Sequence, residues 1–370
     1  MTLKCGSAAL TGLEHELPGS KACEYKRVVS GTCSVTQVGK FRNGAPKAWC
    51  RTHAELVRPA SASECLKVGT ILTLRCLSLD IDQYPGGIGI WGALPPAIDT
   101  ADSTMDEESL LKGVHVHARP HPKAKKEVDE TYDIVALFRA NELLIVIDSD
   151  SATSMVQSRL ANLQTARVEC RHCGAVHIDE GWFAVNPHRK HQCMCCGREF
   201  YQQTAVPGSA IEDKLREVFP VNPKARSSPN RTIDLARHLD AGRHIRIWGT
   251  HQALVWTADR PEESGVHVHV YNSRGEYVVD ETFDKALWQD QTLDATDVRR
   301  LMLQKSLPHL EGRIEAAKCN SCGVPLFSEG KAAVNASTSH VCSSCGAVNR
   351  SKRKVVMNPL HALKIAACTA

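Results

Sequence analysis

Four short motifs occur twice in this chain, in the same order both times, and this ordered recurrence constrains the fold more than any other feature. IWG stands at Ile90 to Gly92 and again at Ile247 to Gly249; GVHVH begins at Gly113 and at Gly265; VDET begins at Val128 and at Val279. A C-x2-C-x19-C-x2-C cluster closes each series, with Cys170, Cys173, Cys193 and Cys196 in the first and Cys319, Cys322, Cys342 and Cys345 in the second. Small length changes fall between the motifs, where loops absorb them. The expectation is an internally duplicated α+β protein, each half a small antiparallel sheet plus a helix plus a cysteine module.

The motif positions divide the chain into an N-terminal Cys/His module over 1–58, a first sheet domain over 59–166 with its cysteine module over 167–202, and a linker over 203–232 with room for one short helix. A second sheet domain over 233–316, a second cysteine module over 317–350 and a basic tail over 351–370 complete it. Each sheet domain is expected to end in a helix, SATSMVQSRLANLQ in the first and about Thr296 to Ser306 in the second, where Val298, Leu301 and Met302 form an apolar stripe behind Asp297.

Two residues between cysteines, with glycine just after the second, form a knuckle in which two thiolates converge on one ion. CRHCGAVHIDEGWFAVNPHRKHQCMCCG and CNSCGVPLFSEGKAAVNASTSHVCSSCG each hold two such knuckles. These segments resemble zinc ribbons, over about 30 residues each. The resemblance implies a Zn2+ cofactor held by four thiolates, and such a closed site is a structural staple because no coordination position stays open for chemistry. His172, His177 and His188 face Ser321, Leu326 and Ser337 in the second cluster, so the shared design does not need them. His191 and His340 do correspond; donors to a thiolate and alternative ligands are open roles for them, and the leading expectation is an exposed knuckle histidine. In the N-terminal module Cys23, Cys33, Cys50 and His53 fall in a stretch poor in core residues, the kind of segment that needs a metal to fold, and are candidate ligands of a further zinc, with pairings that use Cys5 an alternative for the first half-site.

GVHVH alternates strictly, so His115 and His117 share one face of a strand, opposite Val114 and Val116; His267 and His269 oppose Val266 and Val268 in the same way. VDET then reads as the returning strand of a hairpin. In one register His269 lies across from Asp280 and His267 from Thr282, which gathers two imidazoles and a carboxylate; a one-residue slip turns the side chains to the other face. His267, His269 and Asp280, with His115, His117 and Asp129, are therefore candidate catalytic residues of a metal-dependent hydrolase. The alternative role for these residues is the wet face of a half-buried sheet. Tyr271 stands where an H-x-H-x-D enzyme needs aspartate, and no known catalytic metal motif is matched.

Of 370 residues 42% are hydrophobic, enough to give each domain a core, and 45 basic against 41 acidic residues leave a net charge of only +4. No global basic field argues for nucleic acid. No run approaches the roughly 20 apolar residues that span a bilayer, so no membrane partner is expected. Half of the 16 cysteines sit in C-x-x-C pairs, which fits a reducing, cytoplasmic setting better than disulfides do. The leading functional expectation is a zinc-binding tandem-repeat protein that acts as a macromolecular binding or scaffolding module, its partner a nucleic acid or a protein.

Overall fold

The computed structural model describes residues 76–100, 113–193, 197–219, 226–227, 230–258, 263–288 and 291–363, and the backbone of two antiparallel strands, Val35–Lys40 and Pro46–Cys50. It is mixed α+β, with several small sheets and, among the described residues, four α-helices. The chain forms two compact units. In the first, four strands run antiparallel in the order Val255–Trp256, Ile88–Ala93, Gly113–Ala118, Val128–Tyr132. In the second the order is Ile98–Asp99, His244–Gly249, Val266–Tyr271, Tyr277–Phe283, again all antiparallel. Each four-stranded sheet thus takes its short outer strand from the segment that follows the other IWG motif in sequence, and residues 94–100 and 253–258 belong to the unit of the opposite half.

Alternation explains which face each strand buries. Val114 and Val116 in the first unit, and Val266, Val268 and Val270 in the second, are fully buried on one face. Against that face lies a helix: Ser149–Leu160 in the first unit and Ala295–Lys305 in the second. Each helix starts at an aspartate. The Asp148 carboxylate accepts from Ser151 N at 2.7 Å, and that of Asp294 accepts from Thr296 N at 2.8 Å and Asp297 N at 3.0 Å, satisfying amides that have no partner inside the helix. Val298, Leu301 and Met302 are buried, as their spacing requires.

The IWG motif acquires a physical meaning here. Its tryptophan lies on the histidine face of the sheet, and its glycine faces the helix on the other side. A Cβ on Gly92 would sit 2.8 Å from Ala152 O and 2.6 Å from Val156 Cγ2; one on Gly249 would sit 2.8 Å from Arg299 N and 2.9 Å from Ala295 O. Helix backbone rests directly on strand backbone, and no side chain fits between. Gly92→Ala and Gly249→Ala are each expected to destabilise by about 1–3 kcal/mol through overpacking, visible as a lowered denaturant midpoint with unchanged far-UV dichroism of the remaining folded protein.

Beside each four-stranded sheet runs a three-stranded one with a parallel pair: Cys76–Asp80, Ile134–Arg139 and Glu142–Asp148 in the first unit, Thr232–Asp234, Lys285–Trp288 and Gln291–Asp294 in the second. Glu212–Val218 forms a short helix within the segment expected to be a linker, and both its first residue and the chain before it pack on the first unit: Asp179 N donates to Gly208 O at 3.0 Å, and Thr165 Oγ1 to Glu212 Oε2 at 2.9 Å. The strand Val348–Met357 continues past residue 350 and pairs with Ser337–Val341 and Ile314–Glu315, so 351–357 are part of a sheet rather than of a tail. No helix among the described residues is long and apolar enough to cross a membrane.

Candidate metal centres

The second cysteine module brings Cys319, Cys322, Cys342 and Cys345 together, with Cys319 Sγ and Cys345 Sγ 3.7 Å apart and Cys322 Sγ and Cys342 Sγ also 3.7 Å apart. A disulfide would bring a pair to about 2.05 Å. A zinc ion with Zn–S bonds of about 2.3 Å places sulfurs at the corners of a tetrahedron roughly 3.8 Å on edge, so the four thiols fit a bound metal ion. In the first module Cys173 Sγ and Cys193 Sγ are 3.6 Å apart and Cys170 joins them; Cys196 lies outside the described residues.

The glycine that closes each knuckle turns alike in all four. Gly174, Gly197, Gly323 and Gly346 take φ between 71° and 74°, a left-handed turn that favours glycine, and each donates its N–H to the carbonyl of the leading cysteine. Donors also turn towards sulfur: His172 N and Ser321 N each approach the preceding cysteine's Sγ at 3.4 Å, and Asn349 Nδ2 approaches Cys319 Sγ at 3.5 Å. Backbone N–H groups of Cys322 and Ser321, with the Asn349 amide, bring the Cys319 thiol down to about 6. Of the N-terminal candidates, Cys23, Cys33 and His53 lie outside the described residues, and Cys50 ends the strand paired to Val35.

Both histidine hairpins adopt the register that sets imidazoles across from a carboxylate. His117 pairs with Asp129 and His115 with Thr131; His269 pairs with Asp280 and His267 with Thr282. In each unit one ligand atom from each of the two histidines and the aspartate lie within 4.8 Å of one another. In the second unit His267 Nε2 and His269 Nε2 are 2.8 Å apart, and Asp280 Oδ1 lies 3.5 and 3.3 Å from them. Nδ1 of His267 meets Thr282 Oγ1 at 3.1 Å, and Nδ1 of His269 meets the Tyr271 hydroxyl at 3.1 Å. Burial, reinforced by a hydrogen bond with Tyr277, pushes the Tyr271 phenol well above its ordinary value, so it stays neutral and can accept the His269 Nδ1 proton. In the tautomer with both Nδ1 atoms protonated, both Nε2 lone pairs face Asp280. Three ligand atoms of a tetrahedral ion with bonds of 2.0–2.1 Å are separated by roughly 3.3–3.4 Å, close to what these residues offer.

The Trp248 ring walls this site at 4.8 Å from His269, as Trp91 does at 5.0 Å from His117. Glu281, a conceivable general base, faces the opposite side of the strand and is paired with Arg231, while Glu276 accepts from Asn272 Nδ2 at 2.8 Å. The first unit differs by one charge. Lys126 Nζ sits 2.7 Å from Asp129 Oδ2 and 3.5 Å from His117 Nε2; three residues before Asp280 the second unit has Tyr277. Burial raises the Asp129 carboxyl, but His117 and Lys126 outweigh it and hold the group well below the usual carboxylate range.

A third cluster was not foreseen from sequence. His191 is not an exposed knuckle histidine: it is 1% accessible, and with His177 and His188 it surrounds the buried Asp179. Burial raises the Asp179 carboxyl, and hydrogen bonds from the three imidazoles more than reverse this, leaving it well below the ordinary range. The second module has Leu326, Ser328 and Ser337 at the positions of His177, Asp179 and His188, so nothing shared by the two modules marks the cluster. Of the basic residues near the modules, Arg167, Lys190 and Arg353 are paired with Glu169, Glu199 and Glu315. No protein-family model matches the chain, and comparison with curated proteins and with solved structures finds no match.

Proposed function

We propose that the protein arose by internal duplication and is a zinc protein with two classes of site: four-thiolate ribbons that staple the fold, and histidine hairpins, of which His267, His269 and Asp280 form a metal-dependent hydrolytic centre. The observation that carries this is the partly buried convergence of both Nε2 atoms and one carboxylate oxygen, with both Nδ1 atoms anchored by Thr282 and Tyr271. Three protein ligands leave coordination positions for water or substrate, whereas the ribbons leave none. A divalent ion held there would supply Lewis-acid polarisation of water or of a substrate oxygen. The chain's own contribution is positional: Thr282 and Tyr271 fix the ring orientations, and Trp248 shields one side. His115, His117 and Asp129 form the same arrangement with an ammonium already beside the carboxylate, which makes it the weaker site.

The test is Asp280→Asn in the full chain. Elemental analysis should show one ion fewer per folded molecule than wild type, and zinc-dependent hydrolysis of a chromogenic phosphodiester or carboxylic ester should fall at least about 100-fold. A wild-type chain that hydrolyses neither ester, with an unchanged metal count in the variant, would remove the hydrolytic reading.

The second reading is the macromolecular binding or scaffolding module. It draws support from the second ribbon, where Val324, Val341 and Val348 are exposed at 40%, 62% and 59%. Apolar side chains on a module with so small a core suit a protein partner, and salt-insensitive association would separate that partner from nucleic acid.

A further inference from the structure

Asp179 lies between the knuckles of the first ribbon and is 4% accessible. Its Oδ1 is 2.9 Å from His177 Nε2 and 3.2 Å from His188 Nε2; its Oδ2 accepts from Gly208 N at 2.5 Å and is 3.4 Å from His191 Nδ1. Three imidazoles therefore converge on one carboxylate. His177 and His191 are 6% and 1% accessible, and the His188 side chain is 14% accessible.

One ligand atom each of His177, Asp179 and His191 lies within 4.8 Å of the other two, all three residues buried. His188 Nδ1 is 2.8 Å from the Asn186 carbonyl, which can only accept, so Nδ1 carries a proton, and Nε2 meets Asp179 either as the second N–H of an imidazolium or, in the neutral ring, as a lone pair with a cation between them. His191 Nε2 and His177 Nδ1 are buried with no hydrogen-bond partner among the described residues, an omission that costs stability unless another interaction of the ring fixes its place.

The second ribbon is the internal control. At the matching positions after its first cysteine it has Leu326, Ser328 and Ser337, with only His340 kept, and it still folds around two glycine-turned knuckles. There Ser328 Oγ accepts from Met357 N at 2.8 Å, an ordinary hydrogen bond in place of the carboxylate. The histidines and Asp179 are thus not needed to make a ribbon.

We propose that His177, Asp179 and His191 form a further metal site, distinct from the four-thiolate site and present in the first ribbon only, with His188 holding the Asp179 carboxylate beside them. Two nitrogens and one oxygen suit zinc or another borderline divalent ion. The burial of all three ligands makes it a structural site. The surrounding hydrogen bonds fix what it holds together. The Asp179 carbonyl accepts from Ser154 Oγ at 2.6 Å, and Ala184 O from Ser158 Oγ at 2.6 Å, both on the helix Ser149–Leu160, while Gly208 belongs to the segment after the ribbon. An ion here ties the ribbon to that helix and to the returning chain.

The test uses the full chain with His177→Leu, Asp179→Ser and His188→Ser combined, the residues the second ribbon carries. Wild type should bind one more zinc per folded chain than the triple variant. Cobalt loading of wild type should add d–d absorption that the variant lacks, while sulfur-to-cobalt charge transfer stays equal in both, which separates this site from the thiolates. An equal metal count in the folded triple variant overturns the proposal. Should the triple variant fail to fold, the single His177→Gln change, which removes one ligand, gives the same reading: a count lower by one supports the site and an unchanged count refutes it. The hairpin histidines are intact in every variant, so the result is independent of the hydrolytic reading.

Discussion

Replacing Cys342 by serine is expected to remove one metal ion per chain and to unfold the second ribbon. The apolar material of this module is slight: Cys319, Leu326, Cys342, Val355 and Met357 make up its buried cluster, and two of those five are the proposed ligands themselves. A core of this size cannot offset the conformational entropy of ordering some 40 residues, whereas structural zinc contributes apparent folding free energies on the order of 10–16 kcal/mol in small zinc modules. Serine keeps the volume and the hydrogen-bonding knuckle yet is a poor zinc ligand, so the change isolates the metal from the packing. Limited proteolysis should open new cleavage sites between Lys318 and Lys354 while the helix Ala295–Lys305, anchored by buried Val298, Leu301 and Met302, stays protected. Asn358 ties that helix to the end of the ribbon through Gln304 at 3.0 Å, so some loosening of the helix terminus should accompany the loss. A variant with the wild-type metal count and an unaltered cleavage pattern would show that the four thiols do not hold the ion on which the ribbon depends.

Strands and helices were legible in the sequence wherever one face had to be apolar and the other not. GVHVH could only alternate, and the buried valines of both units follow from that alone. The cysteine spacing pointed to converging thiols because two-residue knuckles with a following glycine have few other uses. The register of the hairpins was not legible, since a slip of one residue leaves the sequence pattern unchanged while moving Asp280 to the other face; cross-strand packing decides it, with Trp248 beside His267 and Thr282 beyond. The exchanged strands were hidden for a related reason: Ile98–Asp99 and Val255–Trp256 are two residues long, and only the sheet edge they complete identifies them. The Asp179 cluster escaped because its four members are spread over fifteen positions and converge through the turn of the ribbon, a closeness that no local spacing announces.

The contrast between the two hairpins supplies the second large effect. His267→Ala with His269→Ala removes two of three proposed ligands from the hairpin that carries Tyr277 where the other carries Lys126, and should abolish its metal binding and reduce zinc-dependent ester hydrolysis by at least about 100-fold. The matching double change at His115 and His117 should cost far less activity, because the Lys126 ammonium already compensates Asp129 and any divalent ion entering there must displace it. It follows that Lys126→Met should strengthen zinc binding at the first hairpin, an effect opposite in sign to that of nearly any other change near a metal site. Two charges a few ångströms apart at a half-exposed surface interact by a few kcal/mol at an effective dielectric near 20, so a tightening on the order of tenfold or more is expected, measured by competition with a chromophoric chelator. Tyr271→Phe works the other way at the second hairpin. It removes the hydroxyl that fixes His269 Nδ1, and the loss of such an orienting partner weakens metal binding about 10–100-fold while leaving all three ligands in place. If Lys126→Met and Tyr271→Phe both leave zinc affinity unchanged, the histidine faces are simply the wet side of two sheets, and the working surface of this protein lies elsewhere.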